Sequence, residues 1–191
     1  MKRKQFLQSL LGASAFMAMP FESYSNDDEA LLQMIKDSSK PTKGNLFGFK
    51  ADPIKKVNVG IIGLGNRGTV LLEMFKWLVE HNDAEIVALC DLEEKKVNKA
   101  VDNLSKWQKS KPKTYSGNKE VWKTLAQQDN IDLLLIVTPW EMHTPMALYG
   151  MNHGKHVAVE VPIAYTLTDC WNLVETAERT QKHCIMIENC C

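Results

Sequence analysis

From Val57 onward, short apolar runs alternate with stretches whose apolar residues recur every three or four positions. Val57-Asn58-Val59-Gly60-Ile61-Ile62 is rich in β-branched residues and ends at a glycine, as a buried strand would. The period then changes. Val70, Leu71, Met74, Phe75 and Leu78 fall on one side of a predicted helix over 69–80. The alternation repeats with a strand over 85–90 stopping at Asp91, then a helix over 93–107 with Val97, Val101 and Leu104 as its apolar stripe. A short strand over 112–115 and a short helix over 119–127 follow. The run over 131–137 is nearly all apolar, which suits a strand covered on both faces. A helix over 145–153 closes at Gly154, a strand covers 155–160, a helix covers 168–182, and a sixth strand covers 184–189.

Six strands separated by helices require crossover connections, and such crossovers are right-handed. The pattern therefore predicts an α/β fold: a Rossmann-type, doubly wound, parallel six-stranded sheet in the order 3-2-1-4-5-6. Ligands of such sheets bind beyond the carboxyl ends of the strands, where the strand order reverses. The loops beginning at Gly63, Asp91, Thr138, Glu160 and Asn189 lie at that edge.

The glycine pattern Gly63-x-Gly65-x-x-Gly68 follows a strand and opens a helix. Gly63 permits a tight turn, Gly65 lets a pyrophosphate approach the backbone, and Gly68 lets the helix pack closely on the strand. Free amides and the helix dipole would then face the phosphates. A glycine-rich turn without a ligand is the competing reading. Asp91 ends the second strand, where an acid usually holds the adenosine ribose hydroxyls; its charge would repel a 2′-phosphate and so favours NAD over NADP. Arg67 is a nearby opposing charge, and Asp91 could instead cap the helix that starts near Glu93. After the fourth strand come Thr138 and Pro139, with Trp140 and His143 able to offer a flat or hydrogen-bonding surface to a cofactor. For His143, packing at the helix start is the alternative. His81, His153, His156 and His183 fall at helix ends or strand starts and are read as structural.

The first residues differ from the rest. Met1-Lys2-Arg3-Lys4 is cationic, an apolar stretch reaches Met19, and polar residues resume at Glu22. This is the layout of an export signal over 1–25, too short in its apolar part for a lasting membrane span. Arg3-Lys4-Gln5-Phe6-Leu7 is similar to a twin-arginine signal with Lys4 replacing the second arginine, which implies a periplasmic or secreted protein. If the segment is not a signal, the protein is cytoplasmic. Residues 26–54 form a linker or surface-hugging arm, and 55–191 form the cofactor domain. Lysine plus arginine (23) balance aspartate plus glutamate (23), which argues against a nucleic-acid partner. The 5 cysteines lack metal-type spacing, so no metal site is expected.

The Gly63–Gly68 loop, Thr138-Pro139 with His143, and Gly154-Lys155-His156-Val157 leading to Glu160-Val161-Pro162 together resemble the Gfo/Idh/MocA oxidoreductases over about 55–191. Most of that family has Glu-Lys-Pro at 160–162, its lysine serving hydride transfer at a sugar hydroxyl; here Val161 can neither donate a hydrogen bond nor a proton. Glu-Val-Pro, the Trp140/His143 pair and Ile187-Glu188-Asn189-Cys190 are similar to a narrower branch, the NAD-dependent α-N-acetylgalactosaminidases of glycoside hydrolase family 109. That resemblance implies a retained NAD, transient oxidation of the sugar at C3, elimination of the aglycone, addition of water and re-reduction. It also implies that Asn66, Arg67, Asp91, Trp140, His143, Glu160, Val161 and Asn189 line the NAD site. The branch's catalytic tyrosine and histidine belong to a second, α+β domain absent from this chain. The chain therefore reads as a truncated cofactor module with no catalytic residue of its own. It is expected to bind NAD weakly and turn nothing over, and to act on a glycoside or sugar only in the full-length enzyme. A homo-oligomer is compatible with this reading. An NAD-dependent sugar or cyclitol oxidoreductase and a non-catalytic NAD-binding module are the alternatives.

Overall fold

A computed structural model of the chain describes residue 46 and residues 48–188. The segment expected to be an export signal, most of the expected arm, and Asn189 lie outside the described residues. In chain order the elements are β1 (Val57–Ile62), α1 (Asn66–Met74), α2 (Lys76–Glu80), β2 (Ala84–Cys90), α3 (Glu94–Leu104), β3 (Lys113–Tyr115), α4 (Val121–Ala126), β4 (Leu133–Ile136), α5 (His143–Asn152), β5 (His156–Glu160), α6 (Leu167–Thr180) and β6 (Cys184–Ile187). A 3-10 turn, Trp140–Met142, precedes α5. The strands form one sheet in the order β3-β2-β1-β4-β5-β6, every pair parallel, as the sequence pattern predicts. The order reverses between β1 and β4, and both strands end at the glycine loop.

Alternation along the central strands splits the core into two layers. Leu134 and Ile136 of β4 enter the layer beneath α4, α5 and α6, with Val157, Val159, Met146, Met151 and Leu173. Leu135 points the other way and joins Ile61, Ile86, Leu89, Leu72, Val97 and Leu104 beneath α1 and α3. All three β4 residues are at most 2 % exposed, which explains why this strand has no polar face.

The stretch expected as one helix over 69–80 is two, joined at Phe75, and it begins three residues earlier, at Asn66. The inward stripe is Leu71, Leu72, Phe75, Leu78 and Val79. Val70 and Met74, expected inside, are exposed. Apolar residues on both flanks of the stripe made its phase ambiguous in the sequence. The last helix starts at Leu167 because Thr166 caps it: its hydroxyl accepts from the Asp169 amide while the Asp169 carboxylate accepts from the Thr166 amide. Gly154 follows α5 with φ +80°, as predicted. Ahead of β1, Leu46 packs on the α4–α6 layer, and Phe49 lies 4.8 Å from the His183 ring.

One buried side chain completes the sheet. β3 pairs with β2 only at Ala88, Leu89 and Cys90, which leaves Ile86 beyond its reach. Gln108 takes the missing place. Its amide oxygen accepts from the Ile86 N–H at 2.9 Å, and its amide nitrogen donates to the Ile86 carbonyl at 2.9 Å. Gln108→Ala would orphan both groups of a fully buried residue, so a loss of about 1–3 kcal/mol is expected in urea denaturation. A change below about 0.5 kcal/mol, the level of an ordinary surface substitution, would mean that water replaces the amide.

Candidate functional site

The carboxyl ends of β1 and β4 meet with almost no space between their backbones. Gly63 has φ +95°, and a Cβ there would stand 2.3 Å from the Val137 carbonyl oxygen. A Cβ on Gly68 would stand 2.0 Å from the Gly63 carbonyl oxygen. Two of the three glycines are thus fixed by the fold. Gly65 is different: with an ordinary φ of −70° it caps α1, and a Cβ there would meet no atom within 4 Å. No side chain caps α1, and the first amides of a helix have no intrahelical acceptor. Open space over Gly65 and the start of a helix that no side chain caps are the features a pyrophosphate would need at this place.

Asp91, at the end of β2, locks this loop in place. One carboxylate oxygen accepts from the Leu64 amide at 2.7 Å, and the other accepts from the Glu93 amide at 2.9 Å. Glu93, not Asp91, is the N-cap of α3, so Asp91 braces the turn before the helix. Each oxygen keeps a second lone-pair site, enough to receive a ribose hydroxyl. Lys96, which the sequence reading missed, lies 3.9 Å from Asp91 and 2.7 Å from Glu93. Its pKa is raised by the hydrogen bond to Glu93 and by the Asp91 charge. With two carboxylates around one ammonium, the ribose end of the site remains net negative. The spacing from Asp91 to Lys96 carries no motif of its own; only the helix geometry after β2 brings them together.

Arg67, the second residue of α1, projects toward β5, where its Nε donates to Glu160 Oε1 at 2.6 Å. Glu160 ends β5 and is buried; its other oxygen lies 3.3 Å from the Val161 amide. The pair joins the phosphate loop to the far side of the switch point. Thr138 and Pro139 lead from β4 into the 3-10 turn. Trp140 is exposed there, its ring 6.2 Å from the exposed Tyr165. Asn66 is exposed at the start of α1.

His143 is a correction. It was expected to offer a surface to the cofactor, yet it is 1 % exposed, and its ring nitrogens face the carbonyls of Pro162 at 2.8 Å and Thr138 at 2.9 Å. The packing alternative prevails: the ring ties the loop after β4 to the loop after β5. Thr144 helps by donating to the Ile163 carbonyl. His81 and His153 each lie against the carbonyl four residues earlier, in line with their structural reading.

The thiol nearest the site is chemically quiet. Burial, then the Asp91 charge, pushes the Cys90 thiol up to about 12, so it is not a thiolate nucleophile. Among the described residues no group of three His, Cys, Asp or Glu is arranged to hold a metal ion, and no helix is long and apolar enough to cross a membrane.

The glycines make separable predictions. Gly68→Ala drives a Cβ into a carbonyl and should cost about 1–3 kcal/mol. Gly65→Ala should leave the melting temperature nearly unchanged, yet abolish dinucleotide binding in calorimetry. Equal affinity in Gly65→Ala and the unsubstituted chain would remove the pyrophosphate from this loop.

Comparison with known proteins agrees with this geometry. The family described as "Oxidoreductase family, NAD-binding Rossmann fold" (GFO_IDH_MocA) matches residues 57–188. An alpha-N-acetylgalactosaminidase of Bacteroides fragilis is 44% identical over 151 residues, covering 79% of this chain and 35% of the relative. One from Shewanella oneidensis is 43% identical over 151 residues, covering 78% of this chain and 32% of the relative. The chain thus spans about a third of the length of these curated relatives. Among solved structures, scyllo-inositol dehydrogenase of Lactobacillus casei with bound NAD(H) and scyllo-inositol shares the fold at a TM-score of 0.58 and 20% identity, over 69% of this chain and 36% of that one. With the family matched from β1 to the end of β6, its cofactor is NAD, and the chain belongs to the Gfo/Idh/MocA oxidoreductase family through its NAD-binding Rossmann domain.

Proposed function

We propose that this chain is the NAD-holding part of a glycosidase that removes a terminal α-N-acetylgalactosamine by transient oxidation at C3 and elimination. The observation that carries the reading is the end of β5. The family resemblance puts a lysine after the glutamate there; this chain has Val161 after a Glu160 already engaged by Arg67. An apolar side chain at that point removes the proton donor that a simple sugar dehydrogenase of the family uses. The similarity to two proteins named alpha-N-acetylgalactosaminidase supports the same branch.

The division of labour among the residues follows from their positions. The α1 amides and the open face of Gly65 receive the pyrophosphate, and Asp91 takes the adenosine ribose hydroxyls. Arg67 and Glu160 border the opposite half of the cleft, with Thr138, Pro139 and Trp140 on its rim. His143 contributes indirectly, by fixing the two loops that make this rim. Asn189, which the resemblance assigns to the NAD site, lies outside the described residues. Bound NAD supplies reversible hydride acceptance, while these groups bind and orient it. The catalytic tyrosine and histidine implied by the resemblance are not assigned to any residue here.

Two measurements test the proposal. Calorimetry should show NAD binding to this chain, with Asp91→Ala weakening NAD more than NADP; equal losses would reduce Asp91 to a brace. The protein carrying this domain should release the aryl group from an aryl α-N-acetylgalactosaminide in D2O, with deuterium entering at C2 and no net NADH. Stoichiometric NADH from a free sugar or cyclitol would instead identify an oxidoreductase, and binding of NAD without turnover of either would identify a non-catalytic module.

A further inference from the structure

The amino end of the sheet, opposite the cofactor edge, holds a histidine whose ring takes part in the backbone pairing of the edge strand. β6 pairs with β5 from Val157 and Cys184 onward. One residue earlier the pairing continues by other means. The Val157 amide donates to the His183 carbonyl at 2.9 Å, and the His183 amide donates to His156 Nδ1 at 3.0 Å. His156 itself is anchored in β5 by its amide, which donates to the Asp132 carbonyl at 2.9 Å. The edge strand is thus pinned at its entry by two bonds, one of which needs an imidazole nitrogen with a free lone pair.

We propose that His156 is a pH-sensitive pin for β6: its neutral ring accepts the His183 amide, and its protonation releases the entry of the edge strand. The chemistry is a change of role at a single atom. A neutral imidazole offers one acceptor nitrogen, whereas the imidazolium offers none. When Nδ1 gains a proton, two N–H groups face each other and the bond is lost. The surroundings add to this. Lys182 and His183, in the turn before β6, oppose a positive charge on His156; among the described residues Asp132, in the turn before β4, favours one. The neighbouring Lys155 is turned away, its ammonium donating to the Gln128 carbonyl at 2.6 Å. Phe49, tilted against His183, and the His183 ring, 5.2 Å from that of His156, offer no countercharge. Burial, then Lys182 and His183, lower the His156 pKa from 6.5.

The direction of the effect follows. A histidine whose folded pKa lies below its unfolded value stabilises the fold fully above about pH 6.5. That contribution is lost progressively as pH falls from there through the folded pKa. The loss should be local first, because Cys184–Ile187 has no strand beyond it among the described residues.

His156→Asn provides the test, because the asparagine Oδ1 can stand where Nδ1 stands and accepts at any pH. Amide hydrogen exchange across 183–187, corrected for intrinsic rates, is compared at pH 7.5 and pH 5. In the unsubstituted chain, protection of the His183 amide and β6 should drop several-fold on acidification relative to β1 and β4. In His156→Asn it should stay level with the rest of the sheet. Parallel pH profiles in the two proteins would overturn the proposal. So would an NMR titration of the unsubstituted chain in which the His156 ring protonates at or above the ordinary histidine value, a measurement that does not depend on the variant folding.

Discussion

Close approach of three backbone segments at the switch point is the constraint on which the rest of this structure hangs. Gly63 lies against the Val137 carbonyl and Gly68 against the Gly63 carbonyl, with no room for a Cβ at either. Only this contact lets α1 begin directly over the carboxyl ends of β1 and β4. Its consequences run outward. The Leu64 amide comes within reach of Asp91, and Arg67, one residue before Gly68, comes within reach of Glu160. Displace the helix by the radius of one methyl group, and both links fail together. Tolerance for the ligand and tolerance for the fold therefore occupy different glycines within six residues of sequence.

The charges around the cleft follow one rule: each cation is held by a carboxylate. Lys96 lies with Glu93 and Asp91 at the β2 end, and Arg67 pairs with Glu160 at the β5 end. Neither cation is left to attract a phosphate at the ribose. The helix terminus, with its amide donors, is then the place where an anion gains most. That arrangement suits a dinucleotide whose only phosphates are in its bridge, and it makes the extra phosphate of NADP unwelcome near Asp91.

How much of this could be read from the sequence depended on whether the deciding interaction was local. Strand order, the parallel sheet and the glycine loop were legible because period, crossover handedness and turn chemistry are local or topological rules. The buried character of β4 was legible from composition alone. What escaped the sequence were long-range pairings with no spacing signature. Arg67 and Glu160 are separated by ninety-three positions, and Gln108 replaces a strand that is too short. His143 shows the opposite error. It opens α5 where the sequence pattern leaves it in the preceding loop, and spacing could not tell a ring facing the cleft from one turned inward to two carbonyls. Val70 and Met74 were misplaced for a related reason, since a helix with apolar residues on two adjacent stripes does not declare which one is buried.

The end of β5 is where fold and reaction part company. The glycine loop commits the chain to NAD, but a reaction also needs somewhere for protons to go. The Arg67 guanidinium is held against Glu160 through its Nε. Burial keeps the Cys90 thiol protonated, His143 is sealed between carbonyls, and Val161 has nothing to give. The carboxylate at this strand end, Glu160, could take part in acid–base work only by leaving Arg67, which holds it at 2.6 Å. A dehydrogenase acting on a sugar hydroxyl needs a base beside the reacting carbon. An elimination begins with the same oxidation at C3 and then also removes the C2 proton, so it too needs a base. For either chemistry, Val161 leaves that base to be supplied from another position, and the end of β5 separates holding the hydride carrier from handling protons.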